Sequence, residues 1–144
     1  MGWWYWIGVA AGLGAAFGVL LSGLPFKKTH PVIDALAALL VGGLVGMSIS
    51  GPNRGHWSDV TAGALGCLGA FVGASVVVNG AFRRGGTALG LAILMFGLAF
   101  IVGLLAFIPG VGYAEGVLLV LLAHRLRRQQ PERYAGLRTL AKDE

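Results

Sequence analysis

The sequence predicts an all-α protein, a polytopic membrane helical bundle with four full spans plus a short fifth span or re-entrant segment. Three observations predict it. Hydrophobic residues make up 56% of the 144 residues, charged residues only 12%, and the mean hydropathy is +0.78. Long apolar stretches recur along the chain, and its 25 glycines follow no period of three. A soluble domain carries about 25% charged residues and a disordered chain is less apolar still, so both classes are excluded.

Four stretches have the length and composition of membrane spans. A span needs about 20 consecutive apolar residues to cross about 30 Å of hydrocarbon. In chain order these stretches are residues 3–23, 31–50, 60–82 and 87–108. Pro31 favours a helix start at the second stretch, because proline fits the first helical position.

The fifth segment, residues 110–124, is shorter. One helix over residues 87–124 would be about 57 Å long, too much for a single crossing, and Pro109-Gly110 marks a natural break. The segment after the break has about 15 residues, which make a helix of about 22 Å. We therefore predict a hairpin in which a full helix is followed by a short one, whether it crosses fully or is re-entrant.

The basic residues predict the orientation, because cytoplasmic segments near span ends carry an excess of Lys and Arg. With five segments and the N-terminus outside, each basic cluster lies in the cytoplasm, and the cell membrane is the expected location. We assign residues 1–124 to the transmembrane bundle and residues 125–144 to a basic amphipathic cytoplasmic tail. The expected partner is a bilayer with an anionic inner leaflet, and nucleic acid is not expected. The residues expected to contact anionic lipid are Lys27, Lys28, Arg83, Arg84, Arg125, Arg127 and Arg128.

Aromatic residues at the start of the chain support the same orientation. The run from Trp3 to Trp6 is typical of an interfacial belt, and Trp57 and Tyr113 are expected at the same level. The alternative interpretation is contact with a quinone, lipid or pigment.

Glycine spacing indicates close helix contacts. In lipid, close approach of backbones supplies contact energy that the hydrophobic effect no longer provides, and residues four apart share a helix face. The chain is therefore expected to pack within one bundle, or to form a homo-oligomer or part of a larger membrane complex. The glycines expected to pack helices are Gly8, Gly12, Gly14, Gly18, Gly42, Gly46, Gly69, Gly73, Gly86, Gly90 and Gly97.

Two carboxylates, Asp34 and Glu115, are predicted inside spans, where ionisable groups are costly and often functional. Asp34 lies in the first turn after Pro31, where it either stabilises the helix start or handles ions. Glu115 lies between Gly112 and Gly116, with Tyr113 close by in sequence. It either reaches the nearby interface or, in a deep hairpin, forms a proton or cation site with Tyr113.

No catalytic motif is present in the sequence. Cys67 is the single cysteine, and neither a metal-binding pattern nor a phosphate- or dinucleotide-binding loop occurs. We therefore expect no enzyme activity, cofactor or metal. Two function classes follow. The first is a non-catalytic accessory or assembly subunit that acts through helix contacts, and the alternative is a homo-oligomeric channel or proton-coupled small transporter that uses Glu115.

Overall fold

A computed structural model of the chain describes residues 2–24, 30–50, 57–83 and 87–129. These residues form helices and contain no strand, which confirms the predicted fold class. The helices are α1 (Trp3–Gly23), α2 (Pro31–Ser50), α3 (Trp57–Arg83), α4 (Ala88–Leu105) and α5 (Val111–Gln129). The predictions for Lys27, Lys28, Arg84, Gly86 and the tail from residue 130 lie outside the described residues.

Local sequence accounts for the helix starts. Pro31 begins α2, and the Asp34 N–H donates to His30 O at 3.1 Å, which closes the first turn. Thr87 caps α4, because its hydroxyl oxygen accepts a hydrogen bond from the Gly90 N–H at 3.3 Å.

Three predicted boundaries differ from the observed ones by more than one residue. The third helix begins at Trp57 rather than residue 60, the fourth ends at Leu105 rather than residue 108, and the fifth continues to Gln129 rather than residue 124. The chain reverses between α4 and α5 through a tight turn, in which the Ile108 N–H donates to Leu105 O at 2.9 Å and Gly110 adopts a φ of +84°. Only glycine adopts that conformation at low cost.

Helix α1 is the central element and contacts each of the other four helices. The order of contacts shows that α3 and α5 run parallel to α1, whereas α4 is antiparallel to α1 and α2 is antiparallel to α3. Although α4 and α5 are joined by a short turn, they hardly touch each other; α4 packs mainly on α1, and α5 packs on α1 and α3. Helices α1 and α3 meet at Gly14–Gly63 and Gly18–Cys67, and α2 and α3 meet at Gly42–Cys67 and Gly46–Asp59. Helix α1 meets α5 at Gly8–Gly112 and Gly12–Glu115. It meets α4 and the residue that follows α4 at Gly23–Met95 and Gly12–Ala106.

Small residues allow this close approach. A β-carbon on Gly14 would overlap the carbonyl oxygen of Gly63, and one on Gly46 would overlap the carbonyl oxygen of Asp59. The core beside these contacts is mostly alanine, valine and methionine from α1, α3 and α4, with Leu119 of α5 packed against it. Its members are Ala15, Ala16, Val19, Ala70, Ala74, Val78, Met95, Ala99 and Val102.

The outer surface of the bundle is apolar. Four helices, α1 to α4, are long and apolar enough to cross a membrane, which by composition places the chain in a membrane. Large side chains such as Leu40, Leu44 and Leu89 are exposed on this surface. Trp3, Trp4 and Trp57 are also exposed and lie where α1 and α3 begin. We call this the tryptophan end of the bundle.

Candidate functional site

Glu115 lies in the second turn of α5, where this helix meets α1. A β-carbon placed on Gly12 would lie 2.9 Å from Glu115 Oε2 and 2.6 Å from Ala106 Cβ, so α1, α5 and the end of α4 converge on the carboxyl group. Gly112 brings the α5 backbone against the carbonyl oxygen of Gly8 one turn earlier. The glycines thus allow α5 to approach α1 closely enough to enclose Glu115.

The Glu115 carboxyl group is buried and unpaired. Only 9% of the residue is exposed, and neither Oε1 nor Oε2 has a hydrogen-bond partner among the described residues. Its neighbour Gly12 lies about 14 Å from Trp3 along a helix of about 30 Å. Glu115 is therefore level with the middle of α1 rather than with the tryptophan end.

Two tyrosine hydrogen bonds join the α4–α5 turn to the start of α1. The Tyr5 hydroxyl donates to Phe107 O at 2.9 Å, and the Tyr113 hydroxyl donates to Trp4 O in a short hydrogen bond. The Tyr113 ring also lies over Gly8. These two bonds, which we call the tyrosine latches, hold the turn against α1 on the tryptophan side of Glu115.

Asp59 is a buried carboxylate that the sequence prediction missed. It is 3% exposed in the first turn of α3, and its Oδ2 accepts a hydrogen bond from Ser50 Oγ at 2.7 Å, while Oδ1 has no partner in the part of the chain that the structure describes. It lies within electrostatic range of Tyr113. Because the predicted span began at residue 60, Asp59 was placed outside it. The signal that could have found it is an acidic residue in the first turn of a helix.

Asp34 and Glu115 are not brought together. Asp34 is half-buried in the first turn of α2, and α2 makes no contact with α5. Since α2 runs antiparallel to α1, its first turn lies at the end of the bundle opposite the tryptophan end. Of the three residues predicted for an ion or proton site, only Tyr113 and Glu115 share a region.

The predicted packing glycines fall into two groups. Most are buried, with those of α1 and α2 placed at helix contacts; Gly73 is buried and Gly69 half-buried. On α4, in contrast, Gly90 and Gly97 are exposed and meet no other helix. A β-carbon on Gly97 would find nothing within 4 Å, and one on Gly90 would meet only its own cap, Thr87 Oγ1. Inside this chain these two glycines do not pack helices.

Among the basic residues predicted to contact lipid, Arg125 is exposed on the last turns of α5. Arg127 and Arg128 also belong to α5, so the helix continues across the predicted boundary at residue 125. Arg83 ends α3.

The described residues contain no cluster of three or more His, Cys, Asp or Glu side chains that could hold a metal ion. An apolar groove of about 410 Å³ lies between α1 and α4 and is lined mainly by aromatic and aliphatic side chains, including Phe17, Phe96 and Phe100. The residues that line this groove carry no polar side chain.

Comparison with protein-family models, with curated proteins and with solved structures finds no significant match to this chain.

Proposed function

We propose that this chain is a small, non-catalytic membrane subunit that uses helix α4 to dock a transmembrane helix of a larger membrane complex. The observation that carries the proposal is the outward face of α4, where Gly90 and Gly97 are open. The two are seven residues apart, almost two helical turns, so they lie on one stripe.

That stripe points away from the rest of the chain. The buried residues of α4 are Leu91, Met95, Ala99 and Val102, and at about 100° per residue Gly97 lies about 160° from Met95 and from Ala99. Large exposed side chains flank the glycines on both sides and leave a shallow notch between them. Ile93, Leu94 and Ile101 flank the stripe, and Leu104 lies on it seven residues beyond Gly97.

The outward face of α2 differs and provides a comparison. Its exposed residues are mostly large and apolar, including Leu36, Leu40, Leu44 and Met47, as expected for a helix that faces lipid alone. A glycine on a lipid-facing surface has no side chain with which to contact the lipid. Small residues in membrane helices are enriched where another helix approaches, which favours a partner helix at α4.

The test is native mass measurement of the complete chain isolated in mild detergent, comparing the wild type with Gly97→Leu. The variant should fold normally, because space is open at Gly97, but it should lose the partner that co-isolates in fixed ratio. Ala37→Leu, a similar enlargement on the exposed side of α2, is the control and should retain the partner.

Other outcomes would contradict the proposal. A wild-type chain that is monomeric and isolates alone has no docking function under these conditions. A partner that stays bound to Gly97→Leu uses a different surface. If the wild type has the mass of two or more copies of this chain and Gly97→Leu has the mass of one, the occupant of α4 is a second copy rather than another protein.

A proton-coupled small transporter is the second candidate, favoured by the unpaired carboxyl group of Glu115. A homo-oligomeric pore is less well supported, because Glu115 lies inside one bundle rather than on a surface where copies would meet. Proton flux in liposomes that contain the wild type or Glu115→Gln tests the transporter. Equal flux in the two preparations would rule it out.

A further inference from the structure

Glu115 sits in a region that offers its charge no compensation. An ionised carboxylate without a partner is strongly unfavourable in an apolar interior. Such a group is therefore stable only if a cation approaches it or if it binds a proton. The elements packed around Glu115 decide between these two possibilities.

No cationic side chain is available from the packed helices. Tyr5 is the only titratable residue of α1, and α4 has none. Helix α3 contributes Asp59 and Cys67, which carry no positive charge, and Arg83, which ends α3 at the far end of the bundle. Within α5 itself, Tyr113 donates its hydroxyl to α1, and the first basic residue is His124, more than two turns away.

The side chains around Glu115 also favour a proton over a divalent metal ion. Calcium takes six to eight oxygen ligands, and magnesium requires an octahedral set. The described residues contain no group of three or more His, Cys, Asp or Glu side chains that could hold a metal ion, and no described donor compensates either Oε atom of Glu115. A proton, in contrast, needs only one carboxyl oxygen.

We propose that Glu115 is a proton-binding site inside the bundle, and that the proton exchanges when the α4–α5 turn separates from α1. The tyrosine latches close the site on the side that faces the tryptophan end, because Tyr5 and Tyr113 hold the turn against the first residues of α1. Gly110, with its positive φ, forms the bend of this turn. The proposal does not depend on the docking function of α4, which uses the opposite face of that helix.

The decisive test is infrared spectroscopy of the complete chain in lipid near neutral pH. The spectrum of the wild type minus that of Glu115→Gln should contain the carbonyl band of a neutral carboxylic acid. Asp34→Asn and Asp59→Asn, subtracted in the same way, identify the bands of the other two carboxyl side chains in the described residues. If the Glu115 difference instead contains carboxylate bands, the group is ionised and the proposal is wrong.

A second experiment tests the exchange route with dicyclohexylcarbodiimide, an apolar reagent that adds to a protonated carboxyl group. The acid O–H adds across one C=N bond, and rearrangement leaves a stable N-acylurea, which is detected by mass spectrometry. We expect labelling at Glu115 that is lost in Glu115→Gln and declines as the pH is raised. The Tyr5→Phe and Tyr113→Phe double variant should be labelled several-fold faster, because the turn opens more often.

The two experiments separate the site from its exchange route and from transport. Suppose that the neutral acid band is present but the wild type and the double variant are labelled at equal rates. Glu115 would then bind the proton as proposed, and the proposed role of the tyrosine latches would be wrong. A neutral acid band without proton flux in liposomes would retain the site and remove the transporter function. Loss of partner binding in Gly97→Leu affects neither measurement.

Discussion

Alanine substitutions at two adjacent glycines of α2 should have different effects on the free energy of unfolding. Gly42→Ala should lower it, whereas Gly43→Ala should leave it unchanged or raise it. A β-carbon on Gly42 would lie 2.5 Å from Cys67 Cβ and 2.9 Å from Ala64 Cα, and would overlap the carbonyl oxygen of Gly63. A β-carbon on Gly43 would meet only Val60 Cγ1, at 3.7 Å. The two positions belong to the same helix and differ in the direction in which their side chains point.

The structure gives the expected magnitude. Non-bonded carbon atoms rest at about 3.5 to 4.0 Å, so Gly42→Ala requires α2 to move by about 1 Å from α3. Overpacking of this kind costs about 1 to 3 kcal/mol, whereas glycine to alanine within a helix gains about 0.5 to 1 kcal/mol. Because both variants share the gain, they should differ by the overpacking cost alone, about 5- to 150-fold in the unfolding equilibrium constant.

The assay is reversible unfolding by SDS in mixed detergent micelles, followed by tryptophan fluorescence. Gly43→Ala is expected to match or exceed the wild type in its free energy of unfolding, and Gly42→Ala to fall below it. Equal stability of the two variants would refute the close approach of α2 and α3 through Gly42. The obstructing Gly63 oxygen is a backbone atom, so shortening side chains on α3 should not fully rescue Gly42→Ala.

Three further predictions concern single contacts. Ser50→Ala removes the one hydrogen bond that the described residues supply to the buried Asp59 carboxylate and should lower the free energy of unfolding by about 1 to 3 kcal/mol, while the same change at the exposed Ser48 should have little effect in the same SDS titration. Gly110→Ala places a β-carbon on a residue with φ +84° and should cost about 1 to 2 kcal/mol; an unchanged midpoint would show that the turn adopts another conformation. Tyr113→Phe removes one latch and should cost about 0.5 to 1.5 kcal/mol, with faster hydrogen exchange confined to the amides of residues 108–114, whereas uniform exchange would contradict a local role.

The sequence predicts the ends of a helix correctly where those ends coincide with a change in composition. Helices α1 and α2 begin and end at the predicted residues, because aromatic residues, Pro31 and polar connections mark those positions. Helix α3 begins earlier than predicted because Ser58 and Asp59 lower the local hydropathy without ending the helix. The polarity of Asp59 is accommodated by a tertiary contact, the hydrogen bond from Ser50, which no local pattern predicts.

The end of α5 shows a different limit. The apolar run stops before His124, so the span was ended there, but arginine and leucine are good helix formers and the backbone hydrogen bonds continue to Gln129. Hydropathy reports the environment of a segment, whereas helix propensity sets its length.

The candidate site was only partly predictable. Glu115 was identified because a carboxylate within an apolar segment is unusual, but its burial depends on Gly8 and Gly12, more than 100 residues earlier in the chain. The tyrosine latches join residues of similar sequence separation. Glycine spacing predicts that a helix has a close-approach face, but not which helix covers it, and Gly97 on the open face of α4 illustrates that ambiguity.

The central place of α1 has a consequence for how the protein is made. Chains are synthesised from the N-terminus, so α1 emerges before α5, yet its Gly8 and Gly12 surface is covered by α5 together with Ala106 at the end of α4. Until synthesis has passed residue 115, the nascent bundle presents a vacant glycine groove to any neighbouring helix in the bilayer. A chain that stops after α4 would keep that groove, and its fate in the cell would then be decided by the chaperones and proteases that recognise incompletely assembled membrane proteins.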